Sequence, residues 1–326
     1  ALVRVDQGVI DPSAWTAKAA AATRVEAQLA GRDATAERVL AEAGARYVAL
    51  LRSDQQLALA DALWVRSRRL AALADDRVAV GAAAPIESTR AAIVARQDEL
   101  RRLNAGAARE AARLQLVEWL GVPLDTAVVL VPPGAVAEAP ADPPQRPDLV
   151  AAERAVEAAA LDRRAAARGA FPAIGAYGEL GLANQVASTA PSAAVGIETT
   201  VTLWAGGARR SEVDRLTAAE EDLTLAEASA GRKVAVEVDS ADLAVTTGAA
   251  AWAIAKDARS LAELEVTQAE DRFTTGASSN VEVVEAQARL VVAVTAEVDA
   301  LAAYNLALIG AWTARGRLRT LASEAR

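Results

Sequence analysis

The chain has 326 residues, with 35 Lys or Arg against 43 Asp or Glu, so its formal net charge is −8. An acidic chain without a basic stripe is poorly suited to nucleic acid, whose phosphates attract clustered Lys and Arg. There is no Cys and no His, which excludes disulfides, Cys/His zinc sites, thiol nucleophiles and histidine general bases. Hydrophobic residues make up 53% of the chain but aromatic residues only 3%. Because Ala, a strong helix former of little bulk, carries the apolar fraction, the composition favours long, closely packed helices.

The first predicted elements are a strand and a very long helix. Val3, Val5 and Val9 alternate with polar residues over 2–10, which is the period of a β-strand. Residues 13 to about 78 contain no Pro, and their larger apolar residues recur every three or four positions, which predicts one continuous helix. A helix of roughly 65 residues is about 95 Å long, so we expect it to pack lengthwise against other helices.

A second long helix is predicted from Pro85 to Trp119. Prolines then crowd the segment from Gly121 to Pro147, which predicts an irregular linker. The sequence Arg-Pro-Asp-Leu at 146–149 opens a shorter helix that we expect to end near Arg168.

Two more strands of about ten residues are predicted from alternating apolar residues at 174–182 and 195–204. The small and polar residues between them, 183–194, predict a loop. Helices resume at about Ala208, break at Gly276 and continue from Val281 to Arg315.

The two halves of the chain repeat one another. Asp-Arg-Val at 76–78 matches Asp-Arg-Phe at 271–273 at an offset of 195, and a Gly follows three residues later in both. We therefore predict two structural repeats, 1–145 and 146–326, each with a strand, a long helix, a tip and a second long helix. The second repeat adds a short helix and another strand.

Three local patterns resemble those of one family. Thr-Leu-Trp-Ala-Gly-Gly-Ala-Arg-Arg at 202–210 is similar to its strand-to-helix junction, and 146–149 is similar to the start of its second half. Arg-Phe-Thr-Thr-Gly at 272–276, followed by Val-Glu-Val-Val-Glu-Ala at 281–286, is similar to its periplasmic helix tip. In this order and spacing, the chain resembles the TolC-like outer-membrane efflux proteins over essentially its whole length.

The resemblance implies a mainly α fold with a β-barrel part. Long antiparallel helices would form an α-helical barrel, membrane strands would form a β-barrel, and the chain would carry an internal tandem repeat. In this family a trimer builds a twelve-stranded barrel from four strands of each protomer. The sequence offers three strands, of a length that suits membrane strands, so we expect a helix and a strand upstream of residue 1.

The function implied by the resemblance is a trimeric, passive exit duct of a tripartite efflux or secretion system. It would lie in the outer membrane of a Gram-negative bacterium and extend into the periplasm. The implied partners are further copies of the chain, a periplasmic adaptor (membrane fusion) protein, an inner-membrane transporter reached through the adaptor, and outer-membrane lipid. The cargo is not identified by the sequence.

No enzymatic site, metal site or cofactor is expected. Adjacent carboxylates such as Asp75 and Asp76 point to different faces of a helix, and no Gly-rich phosphate loop follows a strand. The residues alone also allow a different class of protein, a soluble Ala-rich coiled-coil scaffold that binds partner helices. A pure rod would have no use for the alternating segments, which favours the duct.

The resemblance places Glu282, Glu285 and Glu87 at the periplasmic pore entrance. Glu282 and Glu285 are three residues apart and share a helix face, so threefold symmetry would put six carboxylates around one constriction that favours cations. The alternative is an ordinary solvated helix face. Glu87 would pair with a basic residue on the other tip, but Ser278 occupies that position, and Glu87 then serves its own helix N-terminus.

Two glycines and four charged residues complete the predicted sites. Gly81 and Gly276 relax the backbone at the tips, where the resemblance also implies docking of the adaptor. Charges on alternating strands are costly against lipid, so we expect four of them to face the water-filled barrel lumen: Arg4, Asp6, Glu179 and Glu198. Trp204 and Tyr177 suit either an interfacial aromatic belt or ordinary packing.

Overall fold

The computed structural model describes residues 2–131, 139, 144, 146–185, 188–278 and 280–324. Helices dominate, and three strands form a small sheet. In chain order the elements are β1 (Leu2–Ile10), α1 (Pro12–Ala79), α2 (Pro85–Leu120), α3 (Pro147–Arg168), β2 (Ala173–Gln185), β3 (Ser188–Thr200), α4 (Ala208–Thr274), α5 (Asn280–Ala314) and α6 (Leu318–Glu324).

The five long helices begin and end within about two residues of their predicted bounds. The Asp11 carboxylate accepts a hydrogen bond of 2.9 Å from the Ala14 amide and so caps the start of α1. Both α2 and α3 carry Pro in their first turn, where a missing N–H leaves no hydrogen bond unmade. At its other end α2 terminates at Gly121, which takes the left-handed conformation with φ 67°.

The strands form one antiparallel sheet in the order β1-β2-β3. The predicted loop 183–194 was wrong: apart from residues 186 and 187, which lie outside the described residues, it belongs to β2 and β3. The predicted strand end at 204 was also wrong, because β3 ends at Thr200, opposite Ala173 at the start of β2. Pairing of the backbones in register outweighs the weak strand preference of these small and polar residues.

The sheet has one apolar and one charged face. Residues directly opposite one another in an antiparallel ladder point the same way, as do residues two apart in a strand. The exposed fractions on the apolar face are 66% for Val3, 67% for Val5, 69% for Leu180 and 89% for Val195. The side chains on this face are therefore largely exposed among the described residues.

The chain divides into two compact units, one of residues 1–35 and 145–235 and the other of residues 36–144 and 236–326. The first unit contains the sheet and α3. The second has a hydrophobic core in which Val266 and Phe273 of α4 pack with Val283 and Leu290 of α5. Each unit draws on both predicted repeats, so the division at 145 into tandem repeats stays a prediction.

Among the described residues, one helical segment, Val281–Ala314, is apolar and long enough to cross a membrane by length and composition. Buried core helices of soluble proteins have the same property. Several of its apolar residues, including Val283, Val294 and Val298, belong to the core of the second unit. The hydrophobicity of α5 is therefore explained in part by that core.

The last helix, α6, was not predicted from the sequence. Its position depends on Glu37 of α1, which is only 6% exposed. The Glu37 carboxylate accepts hydrogen bonds from the amides of Leu318 at 2.9 Å and Arg319 at 3.1 Å. A carboxylate buried in this way is stable because both its oxygens have donors and lie at the positive end of a helix.

Candidate functional site

The tips at the ends of α1 and α4 have the same backbone geometry. Gly81 and Gly276 take the left-handed conformation, with φ 74° and 77°. The next residue, Ala82 or Ala277, donates to the carbonyl five residues before it, at 2.8 Å in both tips. This pair of turns is the Schellman motif that ends helices at Gly, so the predicted role of both glycines in relaxing the backbone is consistent with the geometry.

The two tips touch through Arg77. Its guanidinium donates a hydrogen bond of 2.9 Å to the carbonyl of Phe273 and lies 4.5 Å from the centre of the Phe273 ring. Phe273 is 1% exposed. The end of α1 is thus fixed against the end of α4 by a cation–π contact and a charge-assisted hydrogen bond.

Glu282 does not stand alone at the start of α5. Its carboxylate forms an ion pair of 3.2 Å with Arg272, which lies at the other side of the same tip. Glu285 is exposed and lies one turn before Arg289. The pKa of Arg289 is raised, first by its hydrogen bonds to Glu265 and also by the negative charge of Glu285. The two predicted pore carboxylates therefore differ, since only Glu282 contacts a cation directly.

Glu87 lies in the first turn of α2, where a carboxylate is favoured by the positive end of the helix. Ser278, at the position where a basic partner for Glu87 was expected, keeps its hydroxyl buried and without a hydrogen-bond partner among the described residues. No hydrogen bond from the Ser278 side chain therefore closes this tip.

The four charges predicted on the strands share one face of the sheet and are in contact. Arg4 binds three carboxylates, with nitrogen–oxygen distances of 2.8 Å to Asp6, 2.9 Å to Glu179 and 2.6 Å to Glu198. Glu179 lies directly opposite Arg4 in the ladder, and Glu198 belongs to the far strand. This network joins all three strands and leaves an excess of negative charge on the polar face.

Tyr177 belongs to the same polar face. Its ring lies 4.5 Å from the Arg4 guanidinium and covers Gly196, the residue opposite it on β3. Tyr177 is therefore a packing residue within the charged network. Trp204 is different, because it lies beyond the end of β3 and is 87% exposed.

Three residues that matter at the tips were not assigned a role from the sequence: Arg77, Arg272 and Phe273. All three lie within the repeated Asp-Arg-Val and Asp-Arg-Phe motif. The repetition marked their positions, but their contacts join residues roughly 200 positions apart or on opposite sides of a turn. A single sequence carries no direct signal of such pairing.

No cluster of carboxylates within the described ranges is arranged to hold a metal ion. An open cleft of about 640 Å³ runs between α1, α4 and α5 in the second unit. Its arginines are already engaged, Arg66 with Glu270 at 2.8 Å and Arg259 with Glu297 at 2.9 Å. The cleft thus offers apolar side chains such as Leu59 and Leu290 in preference to free charge.

Comparison with known proteins identifies a family. The family model described as outer membrane efflux protein matches residues 144–312, which is more than half of the chain. No curated protein is significantly similar in sequence.

Solved structures share the fold at low sequence identity. A membrane protein from Pseudomonas aeruginosa superposes with a TM-score of 0.82 at 20% identity, covering 96% of this chain and 80% of that one. VceC, an outer membrane protein of Vibrio cholerae, gives 0.81 at 17% identity, with 97% and 85% covered. The open state of the MtrE outer membrane channel of Neisseria gonorrhoeae gives 0.80 at 18% identity, with 97% and 79% covered.

Proposed function

The chain belongs to the outer membrane efflux protein family, and we propose that it forms a homotrimeric, passive exit duct of a tripartite efflux or secretion system. The duct crosses the outer membrane of a Gram-negative bacterium and extends into the periplasm. A periplasmic adaptor docks at the helix tips around Gly81 and Gly276, and an inner-membrane transporter supplies energy through that adaptor. The duct itself performs no chemical step.

The observation that carries this proposal is the two-faced sheet. Val3, Val5 and Val195 expose most of their surface on one side, while Arg4 and its three carboxylates occupy the other. Transmembrane barrel strands need this arrangement, because apolar side chains face lipid and polar ones face a water-filled lumen. A soluble scaffold has no use for it.

The sheet also supports assembly of several copies. Within the described residues β1 and β3 each pair with β2 only, so one edge of each has no partner. Open edges do not occur in a bilayer, since unpaired N–H and C=O groups are too costly there. Three copies of the sheet would close one barrel once these edges are paired.

The helices present a second surface for assembly. Exposed apolar residues on α2 follow a seven-residue spacing, in which Ala107 fills the position between the last two: Ile86 by 51%, Ile93 by 52%, Leu100 by 59% and Leu114 by 37%. A strict seven-residue repeat is the pattern by which helices pack side by side in coiled coils. We assign this stripe to contact with a neighbouring copy.

Electron microscopy of the detergent-purified, full-length protein tests the proposal. The expected result is a threefold particle with a hollow axis, together with ion conductance in planar lipid bilayers. A protein that stays soluble without detergent and forms a solid rod would overturn the duct in favour of the coiled-coil scaffold.

A further inference from the structure

All three strands join helices or turns at the same end of the sheet. Ile10 at the end of β1 pairs with Ile174, and Ala173 at the start of β2 pairs with Thr200 at the end of β3. We call this the helix-side end of the sheet. In the proposed barrel it is the border at which the apolar sheet face gives way to the helices, so it lies at one surface of the membrane.

Exposed aromatic residues are concentrated next to the helix-side end of the sheet. Trp15, Phe171 and Trp204 each lie within five residues of a strand end there and are 57%, 62% and 87% exposed. Aromatic residues make up only 3% of the chain, so three exposed ones at a single border are a concentration. Amphipathic rings are enriched where membrane proteins meet lipid headgroups.

Two arginines lie beside Trp204. Arg209 and Arg210 line a shallow cavity of about 420 Å³ together with Leu203 and Trp204. Among the described residues neither arginine forms a hydrogen bond or an ion pair, and the first turn of α4 contains no acidic residue. By contrast, Arg146 beside α3 pairs with Asp148 at 2.6 Å.

Local helix stability does not account for these arginines. Basic side chains at the start of a helix are opposed by its dipole, which favours negative charge there. Their guanidinium groups are suited to bind phosphate oxygens in pairs. An unneutralised pair of arginines next to an exposed Trp and Leu is therefore complementary to an anionic group that carries a hydrocarbon tail.

We propose that Trp204, Arg209 and Arg210 form a docking site for the headgroup of an anionic phospholipid in the leaflet that borders the helices. This inference rests on the proposed barrel. The guanidinium groups bind the phosphate, the Trp204 ring lies at headgroup level, and the acyl chains continue along the apolar face that includes Val195 and Ile197. The occupant is lipid because apolar strand face, exposed rings and free positive charge follow one another in the order found in a bilayer leaflet.

The test uses the full-length protein reconstituted into nanodiscs of phosphatidylethanolamine with or without phosphatidylglycerol, and native mass spectrometry to count retained lipids. The variant Arg209→Gln/Arg210→Gln should bind phosphatidylglycerol roughly 30-fold more weakly, since each basic residue near an anionic surface contributes about a fivefold factor. The matched control Arg69→Gln/Arg232→Gln removes two exposed arginines elsewhere and should bind as the wild type does.

Two further variants separate the contributions. Arg209→Lys/Arg210→Lys keeps the charge and should retain most of the phosphatidylglycerol, which also guards against a misfolded Gln variant. Trp204→Ala should weaken binding in a way that persists at high salt, whereas the effect of the arginines should shrink as salt screens it. Equal retention by the wild type and the Gln variant would overturn the headgroup site.

The outcomes distinguish this inference from the proposed function. If the wild type inserts and conducts but its lipid retention is independent of Arg209 and Arg210, only the headgroup site fails. If the wild type neither inserts nor conducts, the barrel fails and the headgroup site with it. If the Gln variant loses its oligomeric state while lipid retention is unchanged, the arginines contact another copy of the chain and the lipid assignment is wrong.

Discussion

The ring of Tyr177 occupies the space that a side chain at position 196 would need. A Cβ added to Gly196 would lie 2.7 Å from the Tyr177 ring carbon Cζ and hydroxyl oxygen, closer than real contacts allow. Because the same ring supports the Arg4 guanidinium at 4.5 Å, Gly196 indirectly positions the residue that joins all three strands.

We expect Gly196→Ala to displace the Tyr177 ring from Arg4 and to lower stability by about 1 kcal/mol, the size of a cation–π contact. The midpoint of thermal unfolding in detergent measures this. Gly178→Ala is the control, since a Cβ there meets nothing within 4 Å. In a Tyr177→Ala background Gly196→Ala should no longer destabilise; an equal loss in both backgrounds would contradict the contact.

Phe273→Ala should destabilise the second unit by about 3 kcal/mol, because a buried ring is replaced by a cavity. Phe273 is 1% exposed and packs in the α4–α5 core. Phe171→Ala removes the same side chain from a site that is 62% exposed and should change stability by no more than about 0.5 kcal/mol. Chemical denaturation of both variants compares them, and similar losses would refute the assigned core.

Gly81→Ala and Gly276→Ala should each cost about 1 kcal/mol, since a side chain is strained at φ 74° and 77°. Gly106 lies within α2 and has open space around its Cα, so Gly106→Ala should stabilise by up to about 1 kcal/mol. We expect the midpoint of thermal unfolding to fall for the two tip variants and to rise for Gly106→Ala. A stabilising effect at the tips would contradict the left-handed turns.

The ion pair between Glu265 and Arg289 predicts a pH dependence. Hydrogen bonds from Arg289 hold the pKa of Glu265 below its ordinary value of 4.5. A lowered folded-state pKa stabilises the protein above the unfolded value, and this gain is lost as pH falls through the folded value. The stability difference between wild type and Arg289→Gln should therefore be constant above about pH 5 and shrink below 4.5. A stability difference that grows as the pH falls would contradict the assigned ion pair.

Removal of the two tip carboxylates should reduce cation preference. In planar bilayers with a KCl gradient, we expect Glu282→Gln/Glu285→Gln to shift the reversal potential toward zero, because the proposed ring of six carboxylates would be neutralised. The single variant Glu285→Gln should shift the reversal potential more than Glu282→Gln does, since Glu282 is already paired with Arg272. The control variant Glu153→Gln/Glu221→Gln, which alters exposed helix carboxylates, should leave selectivity unchanged. An equal shift of the reversal potential in this control would contradict the placement of Glu282 and Glu285 at the pore.

The long helices were predictable because periodicity accumulates over many residues, and Pro and Gly mark their ends. The shared face of Arg4, Asp6, Glu179 and Glu198 was predictable as well, because alternation fixes which side of a strand each residue takes. The strand residues 183–185 and 188–194 were not predictable, since these small and polar residues have weak strand preference and are held by pairing with each other.

Contacts between distant residues were beyond a single sequence. Arg4 and Glu179 are 175 positions apart, and Arg77 reaches the Phe273 carbonyl across 196. Helix α6 was missed for a related reason: seven residues give too little periodicity, and its docking depends on a buried Glu37 in another helix.

The order of the strands along the chain also sets an order of events in folding. β2 and β3 are neighbours in sequence and can pair within microseconds as a local hairpin. β1 precedes β2 in the chain, but β2 is synthesised only after α1, α2 and α3 have been made. Closing so long a loop is entropically slow, so β1 joins the hairpin late. Until then its valines and its unpaired backbone are exposed to aggregation and proteolysis, so this strand is made before its partner but protected after it.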